Sequence, residues 1–592
     1  MLEKKQISCD LCVIGGGMAG IAAAISAARS GIKVVLMHER PVLGGNASSE
    51  IRMWISGARG VGNRETGLLE EIELENMYRN PTKSYAIWDT VLYDFVRREE
   101  NITLLLNCTC MDADAETGSY PHSRDRRIRS VTGYQMTTQQ FIEVEATFFA
   151  DCSGDSILAP LTGADFRIGR ESAEEFGELT SNKEADSMTM GMSCLIQGRE
   201  TAEKIRYTPP AWSKKLNDAD FKDRMPNIYD NAENFWYLEL GGDRDSIRDS
   251  ETLRDELVAL AAGTWDYIKN SGNFNADNWD LDFLGFLPGK RESRRMMGQY
   301  IVTQKDISSG KVFEDEIAYG GWPLDDHFPG GFYHRGVPNT DIPTPAPYSL
   351  PYRALYSKNV DNLFFAGRNI SMTHMAMSSI RVMATCALLG EAVGRAAAIA
   401  AQKGCTPHDV YLSHMDELQE NLLNGDCFLP SKVRSIAPIC KNAALTGAND
   451  TIRNGQDRSH RIYGTEEKDI FAAETNAPIT YRFDAANVEA VHIVFSSDLE
   501  RDTLEGSWVA RQRSTRANLP LDYPQLTMPK TLCQEFKLLG HKNGQAAELL
   551  HITDNRKRCY HIPVNQTFDS LTLLPISTWG NDKASIISFD FE

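Results

Sequence analysis

A loop rich in glycine and proline carries residues suited to acid–base chemistry. Its sequence, AYGGWPLDDHFPGG at residues 318–331, places Asp325, Asp326 and His327 in succession. An adjacent carboxylate fixes the tautomer of an imidazole, so His327 is a candidate general base. Three polar residues in such a loop equally fit an exposed turn, and the sequence leaves both interpretations open. We expect no metal site, because these residues lack the regular spacing of a ligand set.

A run of arginines forms a second candidate group. Arg291, Arg294 and Arg295 in the segment RESRR recur at helical spacing, which predicts that they share one helix face. A guanidinium binds a carboxylate or phosphate through two parallel hydrogen bonds, so Arg291 is a candidate substrate anchor. The alternative is a solvated helix face or an ion-pair network with Glu292.

A glycine motif near the start of the chain indicates the element that must position such groups. Gly15, Gly17 and Gly20 follow the apolar strand DLCVIG and open the helical pattern MAGIAAAISAARSG. These glycines allow a tight turn, close approach of a pyrophosphate, and close packing of helix on sheet. The next strand, KVVLMHE, ends in Glu39, which is spaced to accept a ribose hydroxyl. At this point both NAD and FAD fit.

Further segments resemble the glutathione-reductase-type FAD fold, especially its fumarate reductase and succinate dehydrogenase branch. They are RPVLGGNASS at residues 40–49, NITLLLNCTC, ATFFADCSGDSILAPLTGADF at 146–166, and the segment 359–401 with NLFFAG. The resemblance implies FAD, bound noncovalently because Asn46 stands where covalent relatives have histidine. Arg368 departs from the acidic residue that many relatives have there, which puts the ribityl contact in doubt. The glycine motif and the resemblance together imply a set of cofactor-binding residues. They are Gly15, Gly17, Met18, Ala19, Gly20, Glu39, Arg40, Gly44, Gly45, Asn46, Ala47, Asp151, Gly154, Gly367, Arg368 and Ser379.

The same resemblance gives two further catalytic candidates, His374 and Arg381, in the segment SMTHMAMSSIRVM. It places His374 beside the isoalloxazine, where a histidine suits proton transfer in either direction near neutral pH. It also places a helix from about Ile380, with its N-terminus toward the flavin. A histidine with a purely structural role is the alternative.

The order of elements predicts an α/β protein with three parts. They are a Rossmann-like FAD-binding domain, an inserted α+β substrate domain, and a C-terminal all-β domain that resembles galactose-binding jelly rolls. The predicted boundaries are 1–166 and 351–429 for the two segments of the FAD-binding domain, 167–350 for the inserted cap, and 430–592 for the C-terminal domain.

Composition narrows the class of partner. The 592 residues carry a formal net charge of −19, which argues against nucleic acid because phosphate binding needs clustered cations. We expect no membrane-spanning segment and no signal peptide, hence a cytoplasmic protein. Twelve cysteines, mostly inside apolar runs, fit reduced core thiols.

These observations favour an FAD-dependent oxidoreductase that exchanges hydride between flavin N5 and a small polar substrate, either a sugar derivative or a hydroxy acid. Two alternatives stay open: a carbohydrate-binding protein with a structural or regulatory flavin domain, and redox-neutral flavin chemistry on a sugar. Carbohydrate at the C-terminal domain and a homo-oligomer are the other partners considered.

Overall fold

The computed structural model describes residues 3–117, 126–179, 182–229, 233–459, 468–501, 515, 518–522 and 525–592. All twelve cysteines lie within these ranges, and none of them forms a disulfide.

The first part of the chain builds a sheet with helices packed against it. The strands are β1 Lys4–Ile14, β2 Val34–Met37, β3 Ile102–Leu105, β4 Cys108–Thr117, β5 Arg126–Gln135 and β6 Gln140–Asp151. The helices are α1 Met18–Arg29, α2 Leu68–Arg79, α3 Tyr85–Arg97 and α4 Leu158–Thr162. The sheet order is β3-β2-β1-β6-β5-β4, with parallel pairing from β3 to β6. The predicted strand–turn–helix around the glycine motif is therefore confirmed as β1–α1.

Short strands and one long helix follow in the predicted cap region. The strands are β7 Phe166–Arg167, β8 Met192–Ser193, β9 Ile196–Glu200, β10 Glu239–Leu240, β11 Trp279–Leu284, β12 Gly289–Lys290, β13 Arg295–Met296, β14 Glu316–Gly320 and β15 Tyr348–Pro351. The helices are α5 Ala173–Phe176, α6 Ser250–Asn270 and α7 Gln304–Ser308. Strand β8 pairs with both β10 and β12, and β9 pairs with β11. A separate apolar core surrounds Trp265 and Trp279.

The chain then returns to the first sheet. Strand β16, Leu363–Phe365, pairs in parallel with β6 and is followed by α8 His374–Ile380, α9 Met383–Lys403, α10 Pro407–Ser413 and α11 Met415–Asn424. Helix α9 packs closely on α1 because Gly390 and Gly394 lack side chains; a Cβ at Gly390 would lie 2.0 Å from the Ala19 carbonyl oxygen.

Helix α9 is long and apolar enough to cross a membrane, judged by length and composition alone. Length and composition therefore do not decide the expectation that no segment spans a membrane. However, 89 % of its apolar window is buried inside the protein, as in the core helix of a globular fold.

The last part of the chain is mainly a seven-stranded antiparallel sheet. It contains α12 Pro438–Asn442 and the strands β17 Ala444–Thr446, β18 Phe471–Glu474, β19 Ile479–Phe495, β20 Cys533–Lys542, β21 Gln545–Ile552, β22 Cys559–Thr578 and β23 Lys583–Phe591. The order is β18-β23-β19-β22-β20-β21, with β17 beside β19. Strands β19 and β22 are long, and their pairing contains register shifts. This β-rich region has its own apolar core, to which Leu74 of helix α2 also belongs.

Candidate active site

The glycine motif forms a tight turn between β1 and α1, and each glycine has its own steric reason. Gly15 has a φ of +104°, and a Cβ there would lie 2.4 Å from the Cys152 carbonyl oxygen. A Cβ at Gly20 would lie 1.8 Å from the carbonyl oxygen of Gly15. At Gly17, by contrast, a Cβ would meet only the Gly45 Cα at 3.8 Å. Gly15 and Gly20 are therefore required by packing, whereas Gly17 borders space that the protein leaves open.

That space is a cavity of about 490 Å³ at the N-terminus of α1. Many of the side chains and glycines that sequence and resemblance assigned to the cofactor line it. They are Gly15, Gly17, Met18, Ala19, Glu39, Arg40, Gly44, Gly45, Asn46, Gly154, Gly367 and Arg368. The N-terminus of α9 also borders it through Val382 and Met383, three residues beyond the expected helix start.

Four assigned residues lie outside this lining, which corrects their placement. Gly20 is needed for the packing of the turn. Ala47 is buried, and its carbonyl accepts a hydrogen bond from Trp88 Nε1 at 2.9 Å. The Asp151 carboxylate accepts from the Ser153 and Leu158 N–H groups and so fixes the turn after β6. Ser379 Oγ donates to the Trp322 carbonyl.

His38, which the sequence reasoning missed, stabilises the glycine turn through a hydrogen bond with its backbone. Its Nδ1 accepts a hydrogen bond from the Gly16 N–H at 3.0 Å, and its Nε2 lies 3.0 Å from the Val42 carbonyl oxygen. Since a carbonyl only accepts, Nε2 is the donor in this contact. The histidine directly before the ribose-spaced Glu39 was the signal that could have found it.

Arg368, the departure from the family pattern, belongs to an ion-pair cluster at the cavity wall. It contacts Asp155 at 2.7 Å, and Lys290 contacts the same carboxylate at 2.8 Å. Burial alone would raise the pKa of Asp155, but these two cations lower it to about 2. The Asp155 carboxylate is therefore ionised at neutral pH. Arg368 lines the cavity while it is paired with Asp155.

The RESRR segment is not a helix, so the prediction of one arginine face is wrong. Residues 291–294 connect the short strands β12 and β13, and the three arginines contact different neighbours. Arg291 lines the cavity, but its guanidinium donates to Ser193 Oγ at 2.9 Å and to the Trp236 carbonyl at 3.0 Å. Arg295 is buried against Glu171. The alternative that the sequence had left open, an ion-pair network, fits Arg295, which also approaches Glu292 at 3.6 Å.

His327 lies in the cavity wall with carboxylates beside both ring nitrogens. Its Nδ1 is 2.6 Å from Glu239 Oε2, and its Nε2 is 3.5 Å from Asp325 Oδ1. Burial raises the pKa of Glu239, but Arg291 and His327 lower it overall, so this carboxylate is ionised and accepts a hydrogen bond from Nδ1–H. Asp325 was an expected partner; Glu239, from a strand 88 residues earlier, was not.

Arg381 completes this wall. It follows helix α8, and its Nη2 donates to the Asp325 carboxylate and backbone carbonyl, each at 3.0 Å. Trp322 Nε1 donates to the same carboxylate at 3.1 Å. The pKa of Asp325 is lowered well below its usual range, because His327 and Arg381 outweigh the effect of burial.

His374 is not among the cavity-lining residues, contrary to the expectation that it faces the flavin. It is 2 % exposed, with Nδ1 at 2.9 Å from Glu292 and Nε2 at 3.0 Å from Asp326. Burial alone would lower the pKa of His374, but the two carboxylates raise it to about 10. At neutral pH the ring is an imidazolium that joins two segments behind the cavity wall.

The cavity fits a dinucleotide. Gly17 offers a backbone that a pyrophosphate can approach, and the N-terminal ends of α1 and α9 favour negative charge. The Nε atoms of Arg368 and Arg381 are buried and have no hydrogen-bond partner within the described part of the protein. Among the described lining residues, the cations Arg40, Arg59, Lys290, Arg291, Arg368 and Arg381 outnumber the carboxylates Glu39, Asp325 and Asp341.

This chain belongs to the FAD dependent oxidoreductase family, whose model matches residues 10–422. The cofactor is FAD, and the protein is an enzyme of the oxidoreductase class. Glu39, the glycines around Gly17 and Gly45, and Arg368 would hold FAD, which supplies a two-electron hydride acceptor or donor when bound.

The chain is also similar to particular proteins over part of its length. It is 34 % identical to 4-oxocyclohex-2-ene-1-carboxylate 5-dehydrogenase of Sinomonas cyclohexanicum over 108 residues, which are 17 % of this chain and 18 % of that protein. The quinol fumarate reductase FrdA of E. coli is 10 % identical, covering 71 % of this chain and 75 % of that one with a TM-score of 0.26. The family 32 carbohydrate-binding module of Streptococcus pneumoniae EndoD is 11 % identical, covering 26 % and 97 % with a TM-score of 0.19.

Proposed function

We propose that the protein exchanges hydride between FAD and a small polar substrate that carries a hydroxyl group and a negative charge, such as a hydroxy acid or a sugar acid. His327 is the proposed proton-transfer group, and Arg381 is the proposed anchor for the negative charge. The observation that carries this proposal is the Glu239–His327 contact in the wall of the cavity that the dinucleotide glycines also line.

The geometry around His327 supports transfer of a proton at Nε2. Glu239 at Nδ1 fixes the orientation of the ring, which leaves Nε2, 3.5 Å from Asp325, as the nitrogen that would exchange a proton with the substrate. In the direction of substrate oxidation, the hydroxyl proton moves to Nε2 while the carbon loses hydride and a carbonyl forms. In reduction, the protonated imidazole returns that proton to the carbonyl oxygen.

The charges of the cavity support an anionic substrate. Arg381 contacts Asp325 through one nitrogen of its fork, and its Nε has no hydrogen-bond partner among the described residues. A carboxylate that approached Arg381 would compete with Asp325 and gain a charge-assisted hydrogen bond.

Four other expectations stay predictions. They are noncovalent attachment of FAD, a cytoplasmic location, homo-oligomerisation and the predicted domain boundaries.

The test is H327Q, with H334Q as the matched control. His334 follows in the same loop, where its ring stacks on Phe328 at 4.2 Å, and it is not among the cavity-lining residues. We expect H327Q to retain FAD. A panel of acids that includes lactate, malate and gluconate identifies the one that reduces the flavin of the wild type, and H327Q should slow that reduction about 10² to 10⁴-fold. H334Q should stay within a few-fold of the wild type. Equal rates in H327Q and the wild type would refute the role of His327.

A further inference from the structure

The C-terminal region contacts a loop that forms part of the cavity wall. Residues 57–66, here called the Arg59 loop, connect the segment after the Gly44–Gly45 turn to helix α2. Arg59 lines the cavity, lies 4.6 Å from the centre of the Trp322 ring, and pairs with Asp341 at 3.1 Å. Its side chain is 34 % exposed, so it is one of the more accessible cations of the cavity.

Arg458, which belongs to the C-terminal region, holds this loop from the other side. Its guanidinium donates to the Gly62 carbonyl at 2.7 Å, to Thr66 Oγ1 at 3.1 Å and to the Tyr319 hydroxyl at 2.9 Å. Tyr319 in turn donates to the carbonyls of Asn63 and Arg64. Arg458 is 4 % exposed, so a buried cation satisfies the loop backbone directly and through Tyr319.

A second contact comes from Glu500, just after strand β19. Its carboxylate accepts a hydrogen bond from the Gly62 N–H, so both backbone groups of Gly62 are bound by the C-terminal region. The same region also reaches the cap, where the Leu519 N–H donates to the Gly198 carbonyl at 3.0 Å and Asn518 Oδ1 accepts from the Gly198 N–H at 3.0 Å. The region therefore contacts two of the parts that surround the cavity.

We propose that Arg458 and Glu500 are positioning residues that hold the Arg59 loop, and that Arg59 is the outer anchor for an anionic substrate. The second half of this inference rests on the proposed function; the first half rests on the contacts alone. In this arrangement the described part of the β-rich C-terminal region supports the cavity wall from outside, through the Arg59 loop. Removal of Arg458 would release the Gly62 carbonyl and the Tyr319 hydroxyl, and Arg59 would lose its fixed place over Trp322.

The experiment compares the full-length, FAD-loaded wild type with R458A, R458K and R556A. Arg556 is the matched control, because it pairs the same C-terminal region with Glu75 of helix α2 at 2.8 Å, and its other described contacts are with Asp554 and the Tyr78 ring. The first readout is hydrogen–deuterium exchange in peptides that cover residues 57–66 and 15–20. We expect R458A to speed exchange in 57–66 about tenfold, with 15–20 unchanged and R556A like the wild type. R458K keeps the charge but loses the fork, so it should lie between R458A and the wild type.

Two exchange results would overturn the positioning role. One is unchanged exchange at 57–66 in R458A; the other is equal acceleration at 57–66 and 15–20, which indicates general loosening. R458K provides the same test if R458A fails to fold.

The second readout is the dissociation constant of malonate, measured from changes in the flavin absorption spectrum. We expect R458A and R59A to weaken malonate binding about tenfold while both retain FAD. Unchanged malonate affinity in R59A would overturn the anchoring role of Arg59. If malonate does not bind the wild type, the anionic substrate class of the proposed function fails, and the exchange result still decides the positioning role.

Discussion

At the scale of single residues, two histidines with acidic neighbours have different roles because their surroundings differ. His327 lies in the cavity wall, with Glu239 at 2.6 Å and Asp325 at 3.5 Å from its ring nitrogens. His374 is outside the lining and has carboxylates at 2.9 and 3.0 Å from its two ring nitrogens. The sequence singled out both histidines and offered Asp325 or Asp326 as the partner of His327; the structure places Asp325 beside His327 and Asp326 beside His374. The sequence could not name Glu239 or Glu292, because these carboxylates lie 88 and 82 residues away along the chain.

The buried bridge at His374 makes stability depend on pH in a defined direction. The folded-state pKa of about 10 lies above the ordinary value of 6.5. The stabilisation is therefore complete below about pH 6.5, declines as the pH rises, and is lost above pH 10. We expect H374Q to lower the free energy of unfolding by about 3 kcal/mol at pH 6, and by clearly less at pH 10. Urea unfolding at both pH values measures this, and a deficit independent of pH would contradict the charged bridge.

At the scale of elements, local patterns with several independent signals gave correct predictions, and short patterns did not. The β1–α1 unit has an apolar strand, spaced glycines and a helical run, and all three agree with the structure. The RESRR segment offers only five residues of helical spacing, and it runs from the end of β12, which pairs with β8, into β13, which pairs with β7. In the C-terminal region, APITYRFD and VEAVHIVFS each have the alternating pattern of a separate strand, yet the structure has one strand, β19, whose pairing with β22 contains register shifts.

The glycine turn allows a matched pair of substitutions that separates packing from cofactor binding. Gly17 has a φ of −72°, which alanine accepts, and a Cβ there meets protein only at 3.8 Å. G17A should therefore fold normally but bind FAD at least about tenfold more weakly, because its methyl group occupies the place of the pyrophosphate. G20A should lower the thermal midpoint of the apoprotein as well, because its Cβ would overlap the Gly15 carbonyl. Flavin fluorescence titration and thermal unfolding measure the two effects; equal FAD affinity in G17A and the wild type would contradict the assigned site.

At the scale of the whole molecule, the cavity is built from segments far apart in sequence. Residues 15–59, 152–154, 236–291, 322–341 and 367–386 contribute to its lining, and the C-terminal region supports it from outside. The sequence predicted the two dinucleotide segments and the cap between them, because their motifs are local. It could not predict the contact of Arg458 with the Arg59 loop, which depends on how two folded parts meet across 396 residues of chain. Carbohydrate binding by the C-terminal region stays a prediction.

The central claim is that FAD bound in this cavity exchanges hydride with a hydroxylated anionic substrate. The most direct measurement is the visible absorption spectrum of the purified protein, recorded before and after heat denaturation and after anaerobic incubation with separate panels of hydroxy acids, sugar acids and neutral sugars. We expect heat-releasable FAD whose absorbance bleaches with an acid. In H327Q the same bleaching should be strongly slowed. Absence of flavin after FAD is supplied, or bleaching by neutral sugars alone, would contradict the account.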